Sequence, residues 1–262
     1  MNKVWTILQK EWAEVFRNRL VVFTVLFMPL LFTALPLILL YSTRGATGNA
    51  TGADMPASML QTCPEGVSAG GCFQIYLVSQ FLILFMLMPL IIPTSIAAYS
   101  VVGEKTTRSL EPLLATPITT LELLAGKNFA AALPAIGATW LGFLIYMLGA
   151  QILVTEPAVR NALISPMWLL AVLVVGPLLA ILSVNFSLMV SSRVNDPRVA
   201  EQLSAVVIVP VLLLFLGQVS GLLLIQPVMV MWFIVILALI DAGAIYLAVR
   251  VFDREAILTR WK

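Results

Sequence analysis

The sequence predicts an all-α protein that crosses a lipid bilayer six times. Of its 262 residues, 61% are apolar and only 11% are charged. A soluble domain puts charge on roughly a quarter of its residues. Six apolar runs each reach the roughly 20 residues that a helix needs to span a hydrocarbon core of about 30 Å. Lysine and arginine are confined almost entirely to alternate connections between those runs, the pattern that keeps basic segments in the cytoplasm.

The runs are 20–41, 73–99, 129–154, 166–190, 203–225 and 228–252. Only Gln226 and Pro227 separate the last two, which together are too long for one span, so Pro227 marks a reversal. With the N-terminus inside, thirteen of the fifteen basic residues are cytoplasmic, and only Arg44 and Arg160 lie outside. Both termini are then cytoplasmic. Each span carries or begins with proline (Pro29, Pro36, Pro89, Pro93, Pro134, Pro166, Pro177, Pro210, Pro227). An interior proline removes a backbone hydrogen bond, and neighbouring helices can satisfy the freed carbonyl. The pattern fits either ordinary membrane-helix irregularity or a mobile gate.

Residues 1–19 place Val4, Trp5, Leu8, Trp12, Val15 and Phe16 at helical spacing, with Lys3, Lys10, Glu11, Glu14, Arg17 and Arg19 on the other side. This predicts an amphipathic helix in the membrane interface, anchored by Trp5 and Trp12 at headgroup depth, in preference to a cytoplasmic extension of the first span. Residues 42–72 form a Gly/Ala/Thr-rich external loop holding both cysteines, Cys63 and Cys72. Disulfides persist on that side. A structural bond closing so short a loop contributes somewhat under about 3 kcal/mol in the chain-entropy model.

Several chemistries are excluded. Without histidine the chain lacks the commonest general base and metal ligand. Two cysteines do not make a metal site, and neither HExxH nor GxSxG occurs. No catalytic and no metal-ligating residues are expected. A net charge of +2 is too small to point to nucleic acid.

The most informative connection is 100–127, SVVGEKTTRSLEPLLATPITTLELLAGK. It is charged yet rich in leucine. Leu110, Leu113 and Leu114 make an apolar face beside Glu104, Arg108 and Glu111. Thr119 and Glu122 have capping-box spacing at the start of another helix, beyond Pro117. The segment fits a helix that docks on a soluble partner or a solvated hairpin.

Glu104, Lys105, Ser109, Leu110, Glu111, Leu113, Leu114, Pro117, Gly126 and Lys127 follow an order that resembles the stretch after the second span in permease subunits of ABC-2 type ATP-binding-cassette transporters. The usual glycine before the Leu-Glu pair is replaced by Arg108-Ser109. The patterns Lys10-Glu11-Trp12 to Arg17-Asn18-Arg19, Ser191 to Asp196, and residues 252–261 are similar to that family too.

The resemblance implies a single transmembrane domain with an ABC-2, type V exporter-like permease fold. It implies a second permease subunit, identical or related, and two copies of a separate ATPase that carries ATP and Mg. It assigns ATPase coupling to Glu104, Lys105, Ser109, Leu110, Glu111 and Leu114, and places the protein in the inner membrane of a prokaryotic cell. The expected function is ATP-driven export of a lipid-like, drug-like or peptide cargo, or of sodium. No cofactor is expected in this chain: Gly103-Glu104-Lys105-Thr106 puts glutamate where a P-loop has its second glycine. The alternative is a secondary transporter or channel without an ATPase. That class would show broken helices in matching halves or charged relays, and no internal repeat is visible.

Asp241 is the only ionisable residue well inside a span. A central aspartate costs roughly 2.5–3.5 kcal/mol on insertion scales, so it must face protein or water, or be protonated. It reads either as a cation or substrate contact on the translocation path or as a polar contact within the bundle. Gln80 and Gln218 are the other path candidates, because spans two and five line the path in the resembled family. Gln218 lies between Gly217 and Gly221, a GxxxG that permits close helix approach. Asn185 and Ser187 read as bridges between helices.

Overall fold

The computed structural model describes residues 3–43, 63, 66–106, 118–223 and 226–251. Among these the chain is helical and has no strand. Six helical runs are long and apolar enough to cross a membrane: Val21–Ser42, Ala69–Glu104, Thr120–Leu153, Pro157–Ser191, Pro197–Val219 and Pro227–Val251.

Helix α1 (Lys3–Val15) lies against one end of the bundle, followed by α2 (Arg19–Ser42). The second run is split into α3 (Ala69–Phe85) and α4 (Met88–Thr106). Helix α5 (Thr120–Leu153) is continuous, and the short α6 (Pro157–Leu163) follows it. The fourth run begins as α7 (Pro166–Leu170), passes through a π-helical turn (Ala171–Val175) and continues as α8 (Gly176–Ser191). The fifth is α9 (Pro197–Ser204), a 3-10 turn (Ala205–Ile208) and α10 (Val209–Val219). Helix α11 (Pro227–Val251) is the sixth.

The starts of these helices are written in the sequence. Pro157, Pro166 and Pro197 each stand in the first turn, where a missing N–H is harmless. Asp196 caps α9 by accepting from Arg198 N at 2.7 Å. The fifth run therefore begins at Pro197 and ends at Val219, earlier at both ends than the apolar run suggests. Its end corrects one reading. Gly221 has φ +72°, Leu223 N donates to Gly217 O at 3.0 Å, and Leu223 folds over Gly217 so closely that a Cβ there would lie 2.6 Å from Leu223 Cδ1. The two glycines serve a left-handed helix cap and are not a seam for a neighbouring helix.

Helix α4 is the centre of the bundle. It packs against α8, α5 and α2, and Met88, Leu90, Ile92, Ile96 and Val101 are buried. Helix α2 crosses α5 at Gly142, where Thr33 Oγ1 donates to Gly142 O at 3.3 Å. Helix α11 lies mainly on α8, burying Leu237, Asp241, Ala244 and Ala248, with Val230, Phe233, Ile234 and Val249 also packed against the core. The rest of α11, and most of α10 and α2, present large apolar side chains outward. At the end of the bundle away from α1, Cys63 is bonded to Cys72 with the Cα atoms 5.3 Å apart. Ser68 there donates through its N–H and hydroxyl to Glu156 at 3.2 and 2.9 Å.

Candidate functional site

The end of the bundle beside α1 holds a desolvated charge cluster. It assembles from three local features. The Thr119–Glu122 capping box is complete: Thr119 N donates to Glu122 Oε2 at 2.8 Å and Glu122 N to Thr119 Oγ1 at 3.2 Å. This fixes the start of α5 and turns Leu123, Leu124, Gly126 and Lys127 inward. On α1, Ile7, Leu8, Glu11 and Val15 share the buried face. On α4, Ser100 and Glu104 stand one turn apart. Gly126 permits the approach: a Cβ there would lie 2.6 Å from Ile7 Cγ2.

Lys127 is the hub. Its Nζ donates to Glu11 Oε1 at 2.7 Å and to Ser100 Oγ at 2.8 Å, and lies 2.8 Å from Glu104 Oε2. Ser100 Oγ in turn donates to Glu11 Oε2 at 2.5 Å. Lys10 Nζ reaches the other carboxylate oxygen, Glu104 Oε1, at 2.6 Å. The side chains of Lys127, Glu11 and Glu104 are each no more than 2% exposed. Two lysines and two glutamates leave the cluster neutral. Isolated buried charges are too costly to keep, but each here has an opposite charge within ion-pair distance. Trp12 Nε1 adds a hydrogen bond to Ala130 O at 2.9 Å, and Lys3 pairs with Glu122 at 3.4 Å on the rim.

Glu11 is thus not on the polar face where the amphipathic pattern put it. It shares the inward face with Leu8 and Val15, three and four residues away, and the bundle supplies a cation for it. Trp5 is exposed, as an anchor requires, whereas Trp12 is half-buried and hydrogen-bonded to α5. Glu104 is turned into the cluster. Lys105 lies within α4. Ser109, Leu110, Glu111 and Leu114 fall outside the described residues. Lys10, Glu11, Ser100 and Lys127 are the residues that sequence reasoning left out of the site. The available signal was a charge in the register of an apolar face, at Glu11 and again at Lys127 beside Leu123 and Leu124.

The three residues proposed for a path sit on three helices, and no hydrogen bond among the described residues joins them. Gln80 on α3 and Asp241 on α11 are buried, and neither side chain has a hydrogen-bond partner among the described residues. Gln218 is near the end of α10, its Oε1 also without a partner there. Several other polar groups inside the bundle bridge helices, whereas Tyr146 Oη and Asn128 Oδ1 have no hydrogen-bond partner among the described residues. Asn128 Nδ2 donates to Asn185 Oδ1 at 3.1 Å. Ser183 Oγ donates to Leu90 O at 2.7 Å and Ser187 Oγ to Thr94 O at 3.2 Å, so Asn185 and Ser187 do bridge helices.

Six long apolar helices, two of them tied to α1 at one end by a buried charge cluster, define a polytopic helical membrane protein, and the geometry holds no catalytic constellation among the described residues. A family model described as ABC-2 family transporter protein matches residues 5–231. The chain belongs to that family and is a membrane permease of an ABC transporter. No curated protein matches the chain.

Proposed function

We propose that this permease works as the membrane half of an ATP-driven exporter whose ATPase is a separate chain. Two permease subunits and two ATPase copies make the working unit in a prokaryotic inner membrane, and ATP and Mg belong to the ATPase. The observation that carries this reading is the placement of the charge cluster. It grips the last residues of α4 and the first of α5, the two helices flanking residues 107–117. A partner pulling on those residues would move α4, α5 and α1 together, because desolvated ion pairs do not slip past one another without losing their partners.

The basic residues argue that this end faces the cytoplasm, where an ATPase would bind. Residues Glu111 and Leu114 would meet the ATPase, while Glu104 serves from within, by holding the segment's root. The spans hold few buried charges, which suits an apolar or amphipathic cargo of lipid-like, drug-like or peptide character. The test is reconstitution in vesicles with the partner ATPase. Glu111→Ala with Leu114→Ala should abolish the stimulation of ATP hydrolysis by the permease while leaving the permease folded. Unchanged stimulation would remove the proposed contact.

A further inference from the structure

The second membrane run is broken in the middle, and everything polar is arranged around that break. Helix α3 ends at Phe85 and α4 begins at Met88. Through Met86 and Leu87 the ladder tightens: Met86 N bonds Ile83 O at 3.0 Å, Leu87 N bonds Leu84 O at 2.9 Å, and Leu90 N bonds Leu87 O at 3.1 Å. Pro89 and Pro93 supply no N–H for the carbonyls of residues 85 and 89.

Below the break, α4 is stapled along its whole length. Ser183 bonds Leu90 O, Ser187 bonds Thr94 O, Ser95 donates to Glu201 of α9, and Ser100 and Glu104 join the charge cluster. Above the break, the polar and covalent ties of α3 to other segments among the described residues lie at its far tip: Gln74 Nε2 to Thr43 Oγ1 at 3.1 Å, Ser68 to Glu156, and the disulfide. Between that tip and the break, the one side-chain hydrogen bond among the described residues is internal to α3, Ser79 Oγ to Ile75 O at 2.7 Å.

Beside the break lies an apolar cavity of about 180 Å³. Ile83 lines it from α3, Met86 from the break itself, Ala171 and Val175 from the π-helical turn, and Val211 from α10. Its lining is apolar and leaves side chains beside the break room to repack. A π-turn is itself a frequent mark of a functional irregularity.

We propose that Met86 and Leu87 form a hinge, on which α4 with its stapled partners α1, α8 and α9 swings relative to α3. This deepens the coupling reading and rests on it for the source of motion, but the hinge can be measured without an ATPase. The experiment is hydrogen exchange of the full chain in nanodiscs. Amides of residues 86–91 should exchange at least about tenfold faster than those of 76–84 and 95–103, since exchange reports local opening. Protection at 86–91 equal to that of both flanks would overturn the hinge.

The double variant Pro89→Ala/Pro93→Ala restores the two missing donors. It should bring exchange at 86–91 down to that of the flanks and reduce ATP-driven transport in vesicles severalfold, with ATPase binding retained. Slow exchange in this variant together with unchanged transport would also overturn the hinge's role. Fast exchange in the parent chain, combined with failure to bind any ATPase, would leave the hinge standing and remove the coupling reading instead.

Discussion

Lys127 shows how much one ammonium group can organise when it is removed from water. It meets Glu11, Ser100 and Glu104 within 2.8 Å, so truncating it strands two carboxylates. Lys127→Met is expected to destabilise the protein by about 3–5 kcal/mol, the usual penalty for breaking a buried ion pair from one side. Replacing the cluster as a whole is a different matter. The variant Lys127→Met/Glu11→Leu/Glu104→Leu/Lys10→Ala removes both signs together and should recover most of that loss, because apolar substitutes for a buried ionic group are often neutral. Thermal unfolding in detergent micelles checks both. If the quadruple variant stays folded and loses only the coupling to the ATPase, the cluster serves motion more than stability. Asp241 is the opposite case. It is 5% exposed, and neither carboxylate oxygen has a hydrogen-bond partner among the described residues. Asp241→Leu should therefore raise stability by about 1–3 kcal/mol, the range for relieving an unsatisfied buried polar group. A loss of stability would mean that the carboxylate meets a partner contributed by another chain.

At the scale of elements, the sequence was legible wherever a local rule sufficed. Thr119 and Glu122 announced the start of α5, and the observed box has both of its hydrogen bonds. Thr119→Ala should cost about 1 kcal/mol, read out as a lower unfolding temperature. The apolar runs announced the spans by length alone. Where long-range contact decided the outcome, local reading failed. Glu11 looked like a solvent-facing charge because its cation lies 116 residues away in the chain. Gly217 and Gly221 looked like a helix seam because spacing cannot distinguish a packing face from a cap; only the positive φ of Gly221 does so. Gly221→Ala should accordingly destabilise the α10 end by about 1 kcal/mol, since a Cβ is disfavoured in the left-handed region. A helix seam would predict lost association between helices with no change in local exchange. The break between α3 and α4 was legible only in part: Pro89 and Pro93 signalled lost hydrogen bonds, but every span carries or begins with proline, and hydropathy does not tell which of them breaks its helix.

At the scale of the whole molecule, the bundle is held at its two ends by different chemistry. The end away from α1 carries a local covalent bond, between Cys63 and Cys72 nine residues apart, beside the hydrogen bonds of Ser68 to Glu156. The α1 end is electrostatic and long-range. This difference yields a prediction about α1 itself. The helix contributes one lysine and one glutamate to the cluster, Lys10 and Glu11. Deleting residues 3–15 therefore removes one charge of each sign from the cluster and leaves Lys127 beside Glu104, 2.8 Å apart and neutral as a pair. The truncated chain should insert and remain a single species by size-exclusion chromatography, in contrast to Lys127→Met. Yet α4 and α5 would lose the third helix that clamps them, along with the Trp12–Ala130 hydrogen bond. Stimulation of the partner ATPase should then fall severalfold while binding of that ATPase through residues 107–117 persists. An α1 that served only as a membrane-surface anchor predicts the reverse, weakened membrane retention with stimulation intact for every molecule that remains inserted. Measuring retention, binding and stimulation on one truncated preparation separates the two roles, because the charge count keeps the remaining pair balanced in either case.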